Sequence, residues 1–173
     1  MAYMVELDPI TNMVVSMQLY QNVKNTATLR KDVMSGKLEC CLIKPSLIFH
    51  PFQIVIAANK TLVSKKRTTK SIYTELLFNL SLSTNITQSL QTFGVSDSDE
   101  NILVVTLTPR DKQTNANSIF DRIEGDVLDI FELSCINDIQ AIKKIYKINE
   151  KEYQSVDVLD SIEKVCKVFE QER

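Results

Sequence analysis

The sequence predicts an α+β fold: a two-layer domain in which a small mixed or antiparallel sheet is packed with helices. Three observations carry this expectation. Stretches that alternate apolar and polar residues are interspersed with stretches of helical spacing, and no strict strand–helix–strand repeat emerges. A chain of 173 residues that is 44% hydrophobic can bury a core and is too apolar for a disordered segment. Only three glycines and four prolines interrupt it, so most of the backbone belongs to regular elements. No repeat, linker or low-complexity segment divides the chain, and one domain over residues 1–173 is expected.

The elements follow in order. From Met13 to Tyr20 the chain alternates, with Val15, Met17 and Leu19 on one side and Ser16 and Gln18 on the other, as in a half-buried strand. Asn25 is placed to cap a helix carrying Leu29 and Val33, which Gly36 stops. Leu38, Cys41 and Leu42 continue helical spacing up to Pro45. Pro51 opens the next helix at its first position, where a missing N–H costs nothing. Phe52, Val55, Ile56, Asn59 and Val63 share one side of it, and Ile54, Ala58 and Leu62 lie on another. A helix apolar on two sides is buried on both or lends one to a partner, and Ala57-Ala58 permits close approach.

Glu75 to Ser81 reads as a strand with Leu76, Phe78 and Leu80 inward. Thr84 or Asn85 caps a helix of Ile86, Leu90 and Phe93 that Gly94 ends. Ile102 to Thr108 is apolar on both faces and reads as a central strand. A polar loop over Pro109–Asn117 and a helical turn over Ser118–Glu124 follow, closed by Gly125. Asp138 starts a helix of Ile139, Ile142, Ile145 and Tyr146, and Ser155 starts a last one striped with Val156, Leu159, Ile162, Cys166 and Phe169.

The catalytic classes find little support. Gly36, Gly94 and Gly125 are isolated, so no phosphate-cradling glycine loop or nucleophile elbow is written here. His50 is the single histidine, with no nucleophile or acid near it in sequence, and a lone His just before a helix reads as a cap or core residue. An enzyme with a dispersed site around His50 and a distant acid is the alternative. Cys40, Cys41, Cys135 and Cys166 form no C-x-x-C pair, which disfavours zinc and points to reduced, mostly buried thiols; no metal or cofactor is expected. The N-terminus lacks a basic region followed by an apolar one, and no run of about 18 apolar residues exists, so an intracellular protein is expected. The N-x-[ST] triplets at Asn59, Asn79 and Asn85 are then chance matches.

Charge is uneven although the net value is −2. Residues 1–90 hold 10 Lys+Arg against 5 Asp+Glu, a balance of +5, and residues 91–173 hold 10 against 17, a balance of −7. Two solvated faces, or two faces for different partners, both fit this division. Lys60, Lys65, Lys66, Arg67 and Lys70 fall within eleven residues at the end of the double-sided helix. Cations complement a helix C-terminus, which explains one or two of them. Phosphate binding would use all five. Tyr73 is the nearby aromatic for base stacking. The last helix is likewise open to two readings, as core or as a surface offering Ile162, Val165 and Phe169 to another protein.

Several segments together resemble one family. They are PFQIVIAANK from Pro51 to Lys60, ELLFNLS from Glu75 to Ser81 with Asn85-Ile86, FGV from Phe93 to Val95 and KKIYKI from Lys143 to Ile148. Val23-Lys24-Asn25 followed by Leu29-Arg30, and Leu42-Ile43 with Pro45, agree as well, while Thr61 stands where relatives often carry Ala. The order and spacing resemble the TPRKB family, the small kinase-binding subunits of the KEOPS (EKC) complex. The resemblance runs from about Val15 to Ile148.

That complex transfers a threonylcarbamoyl group onto the adenosine beside the anticodon of certain tRNAs. The resemblance implies a subunit without an active site, in the cytoplasm and nucleus. It implies docking on and stimulating the PRPK/Bud-type kinase subunit, gripping the single-stranded 3′ CCA end of tRNA, and meeting the transferase subunit only indirectly. Under it, Asn59, Lys60, Lys65, Lys66 and Arg67 are the tRNA-contact candidates. Ile162, Val165 and Phe169, with Phe52 and Ile56, are the kinase-contact candidates. The alternative from another class is an interaction scaffold without a nucleic-acid role.

Overall fold

A computed structural model describes residues 2–64, 66–112 and 114–147. Its centre is a five-stranded antiparallel sheet in the order β1-β2-β4-β3. The strands are β1 (Tyr3–Glu6), β2 (Met13–Gln21), β3 (Cys41–Ile43), β4 (Ile102–Pro109) and β5 (Asp126–Leu128). β4 pairs along nearly all of β2, from Met13↔Pro109 to Tyr20↔Ile102. β1 and β5 share the other edge of β2, through Tyr3↔Met17 and Leu19↔Leu128. The helices are α1 (Thr26–Met34), α2 (Pro51–Val63), α3 (Ile72–Leu80), α4 (Ile86–Phe93), α5 (Thr114–Phe120), α6 (Leu133–Ile136) and α7 (Ile139–Ile145). The α+β class predicted from the sequence is thus observed, with the sheet wholly antiparallel. No helix among the described residues is long and apolar enough to cross a membrane.

The sheet is covered on both faces. Val15, Met17, Leu19, Leu103, Val105 and Leu107 join Cys41 and Ile43 in the larger core, with Ile54, Ala57 and Ala58 of α2, Leu76 and Leu80 of α3, and Ile142. Tyr20, Ile102, Val104, Cys40 and Leu42 face the other way, into a smaller core with Leu29 of α1 and Ala116 and Phe120 of α5. β2 is therefore buried on both sides rather than half-buried, and its polar Ser16 is 1% exposed. The hydroxyls of Ser16, Thr106 and Thr108 are buried without a hydrogen-bond partner among the described residues.

Four further expectations need correction. Glu75 to Ser81 is helical, within α3. Leu76, Phe78 and Leu80 alternate, but Ile72, Leu76 and Leu80 also repeat at helical spacing. Ser71 and Thr74 then close a reciprocal capping box that decides for the helix. Cys41–Ile43 is a strand, not a helical continuation, because it pairs Cys41↔Val105 to Ile43↔Leu103. Burial on both faces removed the polar alternation that would have revealed it.

The helix at α5 begins at Thr114, inside the expected polar loop, and Ala116 and Phe120 are its buried spacing, with Ile123 joining them just past its end. Asn25 does precede α1, but its side chain makes no cap. It donates to the Arg122 carbonyl and accepts from the Glu124 N–H, tying that loop to the helix start.

The remaining ends behave as read. Gly36 stops α1 at φ +81°, a left-handed conformation that glycine adopts without strain. Asn85 accepts from the Gln88 N–H to cap α4, and Asp138 accepts from the Ala141 N–H to cap α7. The expected helix from Ser155 lies outside the described residues.

Candidate partner and nucleic-acid surface

α2 organises the surface. Pro51 takes its first position, and the His50 ring caps it, with Nδ1 accepting from the Phe52 N–H at 3.1 Å. His50 is half-buried and its ring lies 6.1 Å from that of Phe131. Of the readings open for His50, the cap is the one observed. Ile54, Val55, Ala57 and Ala58 bury one side of α2. Small side chains let α3 approach, and Asn79 of α3 donates to the Thr61 hydroxyl, which donates in turn to the Ala57 carbonyl. Thr61 thus joins the two helices.

The other side of α2 remains apolar and open. Phe52 is 42% exposed and Val63 50%, with half-buried Ile56 between them. Positions 52, 56 and 63 fall on one stripe of a 3.6-residue helix, about 16 Å long. Phe131, 55% exposed, extends the apolar area beyond the N-terminal end of α2, edge-on to Tyr3. Exposed large apolar groups grouped in this way mark a protein-contact surface more than scattered ones do.

At its C-terminal end α2 opens into the basic loop. The Ser64 hydroxyl donates to the Lys66 carbonyl at 3.0 Å. The Thr68 and Thr69 N–H groups both donate to Glu75 Oε2, at 3.1 and 2.8 Å, and the Thr69 hydroxyl joins them at 2.8 Å. Lys66, Arg67 and Lys70 are exposed and Lys60 is half-buried. Asn59 lies on the same helix face, and its Oδ1 accepts from the Asp8 N–H at 2.9 Å, so this side chain anchors the β1–β2 connection.

Tyr73 is turned away from the loop: its hydroxyl meets the Leu107 backbone, and burial raises its pKa to about 12. It is not an available stacking platform. Lys65 lies outside the described residues, as do Ile162, Val165 and Phe169.

Other chemistry is quiet. No group of three His, Cys, Asp or Glu residues able to hold a metal occurs among the described residues. Cys40 and Cys41 are buried, as expected for most of the thiols, whereas Cys135 is exposed. Burial pushes the Cys40 thiol up to about 12, with Arg122 opposing, and burial with the neighbouring Cys40 raises Cys41 well above its ordinary value. Both are protonated and poorly nucleophilic at neutral pH. The open depression between Lys44–Ser46 and Ser98–Asn101 touches neither surface described above.

The sequence model of the kinase binding protein CGI-121 family matches residues 20–168. The chain belongs to that family. It is 34% identical over 158 residues to the EKC/KEOPS complex subunit TPRKB of Danio rerio, covering 89% of each protein. It is 31% identical over 144 residues to the EKC/KEOPS complex subunit cgi121 of Aspergillus fumigatus, covering 78% of this chain and 76% of that one. The match to Aspergillus terreus cgi121 is also 31% over 144 residues. The family inferred from the motifs is therefore the family found.

Of the candidate residues, the fold places Phe52, Ile56 and Asn59 on the open side of α2 and Lys60, Lys66 and Arg67 at its C-terminal end. Sequence reasoning missed Phe131 and Glu75. Phe131 belongs to a short turn after β5 with no periodicity to mark it. Glu75 was read as the first residue of a strand, where its carboxylate would have pointed outward.

Proposed function

We propose that this protein is a non-catalytic subunit of an EKC/KEOPS-type complex that binds and activates the complex's kinase and helps recruit tRNA, by its 3′ CCA end, for threonylcarbamoyl modification in cytoplasm and nucleus. One observation carries the reading: a single helix, α2, presents an open apolar stripe and runs directly into a basic loop. The family description and the names of the relatives support the kinase and the complex. The stripe suits the apolar centre of a protein interface, where aromatic anchors contribute most of the affinity. The exposed cations suit phosphates, and the transferase subunit is reached only through the kinase.

Co-expression with the kinase subunit and size-exclusion chromatography test the first half. Wild type co-elutes, and Phe52→Asp separates the two while the free protein keeps its Tm, since Phe52 is 42% exposed and lies outside both buried cores. Co-elution of Phe52→Asp removes α2 from the interface. For the second half, Lys66→Ala/Arg67→Ala weakens tRNA binding and flattens the plot of log K against log salt by about one unit per lost phosphate contact. An unchanged slope removes this basic loop from the tRNA contact, and no binding of tRNA by the wild type leaves a scaffold without a nucleic-acid role.

A further inference from the structure

Glu75 carries a negative charge beside a surface whose proposed ligand is a polyanion, and it is 3% exposed. Simple electrostatics makes it unfavourable there. Its contacts give it another job. Its Oε2 gathers the Thr68 N–H, the Thr69 N–H and the Thr69 hydroxyl, all from the basic loop. The Thr69 hydroxyl also meets Thr74 of the capping box at 2.9 Å, so the loop is sewn onto the first turn of α3. At the other end the Ser64 hydroxyl holds the Lys66 carbonyl. Between these two ties the Lys66 and Arg67 side chains are left outside, exposed.

We propose that Glu75 is a positioning residue for nucleic-acid binding, holding the loop of residues 66–70 in the one shape that presents Lys66, Arg67 and Lys70 together. The inference rests on the reading of this loop as the tRNA contact. A loop already ordered loses less conformational entropy when it binds than one that must be ordered by its ligand. The internal carboxylate supplies the order without competing for phosphate, because its acceptor oxygen is turned inward onto backbone N–H groups and a hydroxyl.

The sign of one measurement separates this from plain electrostatics. Removing a negative charge beside a polyanion site tightens binding if charge alone matters. If Glu75 acts through the loop, Glu75→Ala weakens tRNA binding about tenfold, as expected for the lost preorganisation of a few residues. The salt slope stays at the wild-type value, because every cation remains. Glu75→Gln retains an acceptor oxygen for the two N–H groups and binds close to wild type. Hydrogen exchange at the Thr68 and Thr69 amides is slow in wild type and Glu75→Gln, and fast in Glu75→Ala.

The titrations use the full chain, with Tm and kinase co-elution as checks on folding and Lys66→Ala/Arg67→Ala in parallel. If Glu75→Ala does not fold, Thr69→Val removes one of the three ties and weakens binding about two- to threefold. Binding by these variants equal to or tighter than wild type, while Lys66→Ala/Arg67→Ala weakens it, overturns the role of Glu75 and leaves the tRNA surface standing. No change in any of them overturns the tRNA surface, and the positioning role falls with it.

Discussion

On one face of the sheet Leu19, Leu103 and Val105 meet apolar side chains of α2, α3 and the α7 segment, and polar groups there are paired. The Gln53 amide donates to the Tyr146 hydroxyl, which donates to the Leu80 carbonyl at 2.7 Å. On the other face Ser16, Thr106 and Thr108 carry buried hydroxyls with no partner among the described residues. Ser16 and Thr106 are direct cross-strand neighbours, so two of these vacant hydroxyls sit side by side. Each unpaired hydroxyl costs about 1–3 kcal/mol relative to water. The difference teaches where rigidity is invested. The well-satisfied face supports α2 and α3, which carry the apolar stripe and the basic loop. The imperfect face underlies no surface assigned a role here.

The largest test of this contrast is a cavity on the first face. Leu103→Ala lowers unfolding free energy by about 2–5 kcal/mol, measured by denaturant titration, since Leu103 is fully buried among α2 and α3 partners. A smaller effect comes from its polar tie. Tyr146→Phe strands the Gln53 amide and the Leu80 carbonyl and lowers stability by about 1–3 kcal/mol. On the second face the sign reverses: Thr106→Val removes an unpaired hydroxyl at similar volume and raises stability by up to about 1 kcal/mol. A loss instead would show that the hydroxyl is satisfied in solution, and the contrast between the faces would collapse.

The adjacent thiols sample one face each and give the finest probe, with no effect at neutral pH. Peptide mapping after alkylation finds exposed Cys135 labelled before buried Cys40 and Cys41, which react only as pH rises. The folded Cys40 pKa lies above the ordinary 9.0, at about 12. Its contribution is therefore complete below pH 9 and is lost as pH climbs from there toward 12, because the unfolded thiol ionises first. The alkaline loss of stability should be shallower in Cys40→Ala. Equal slopes would mean that Cys40 ionises in the native state as readily as in the unfolded one.

Much of the fold could be read from residues in local register. β2 and β4 announce themselves by alternation and by unbroken apolarity, α2 by Pro51 and its stripe, α4 and α7 by Asn85 and Asp138. Two elements were misread for the same physical reason. In β3 every residue is buried, and in α3 polar Glu75 and Asn79 are buried along with the apolar residues, so polarity does not mark the exposed positions that distinguish period 2 from period 3.6. The pairing of Cys41 with Val105 and the Ser71–Thr74 cap settle those cases, and the first joins residues far apart in sequence.

The proposed contact surface divides along the same line. Its charges, its helix and its family were legible in the chain, because motif order, cation clustering and helical stripes are properties of neighbouring residues. Which side of α2 stays open was not legible, since Val55 and Ile56 are equally apolar and only packing against α3 and the sheet buries the first more deeply. Nor was the exposure of Phe131 beside Tyr3, the diversion of Tyr73 to the Leu107 backbone, or the inward turn of Glu75 onto the basic loop. Each depends on a group brought near by the fold. The sequence alone determined the materials of the surface, and tertiary packing decided which side chains water and partners can reach.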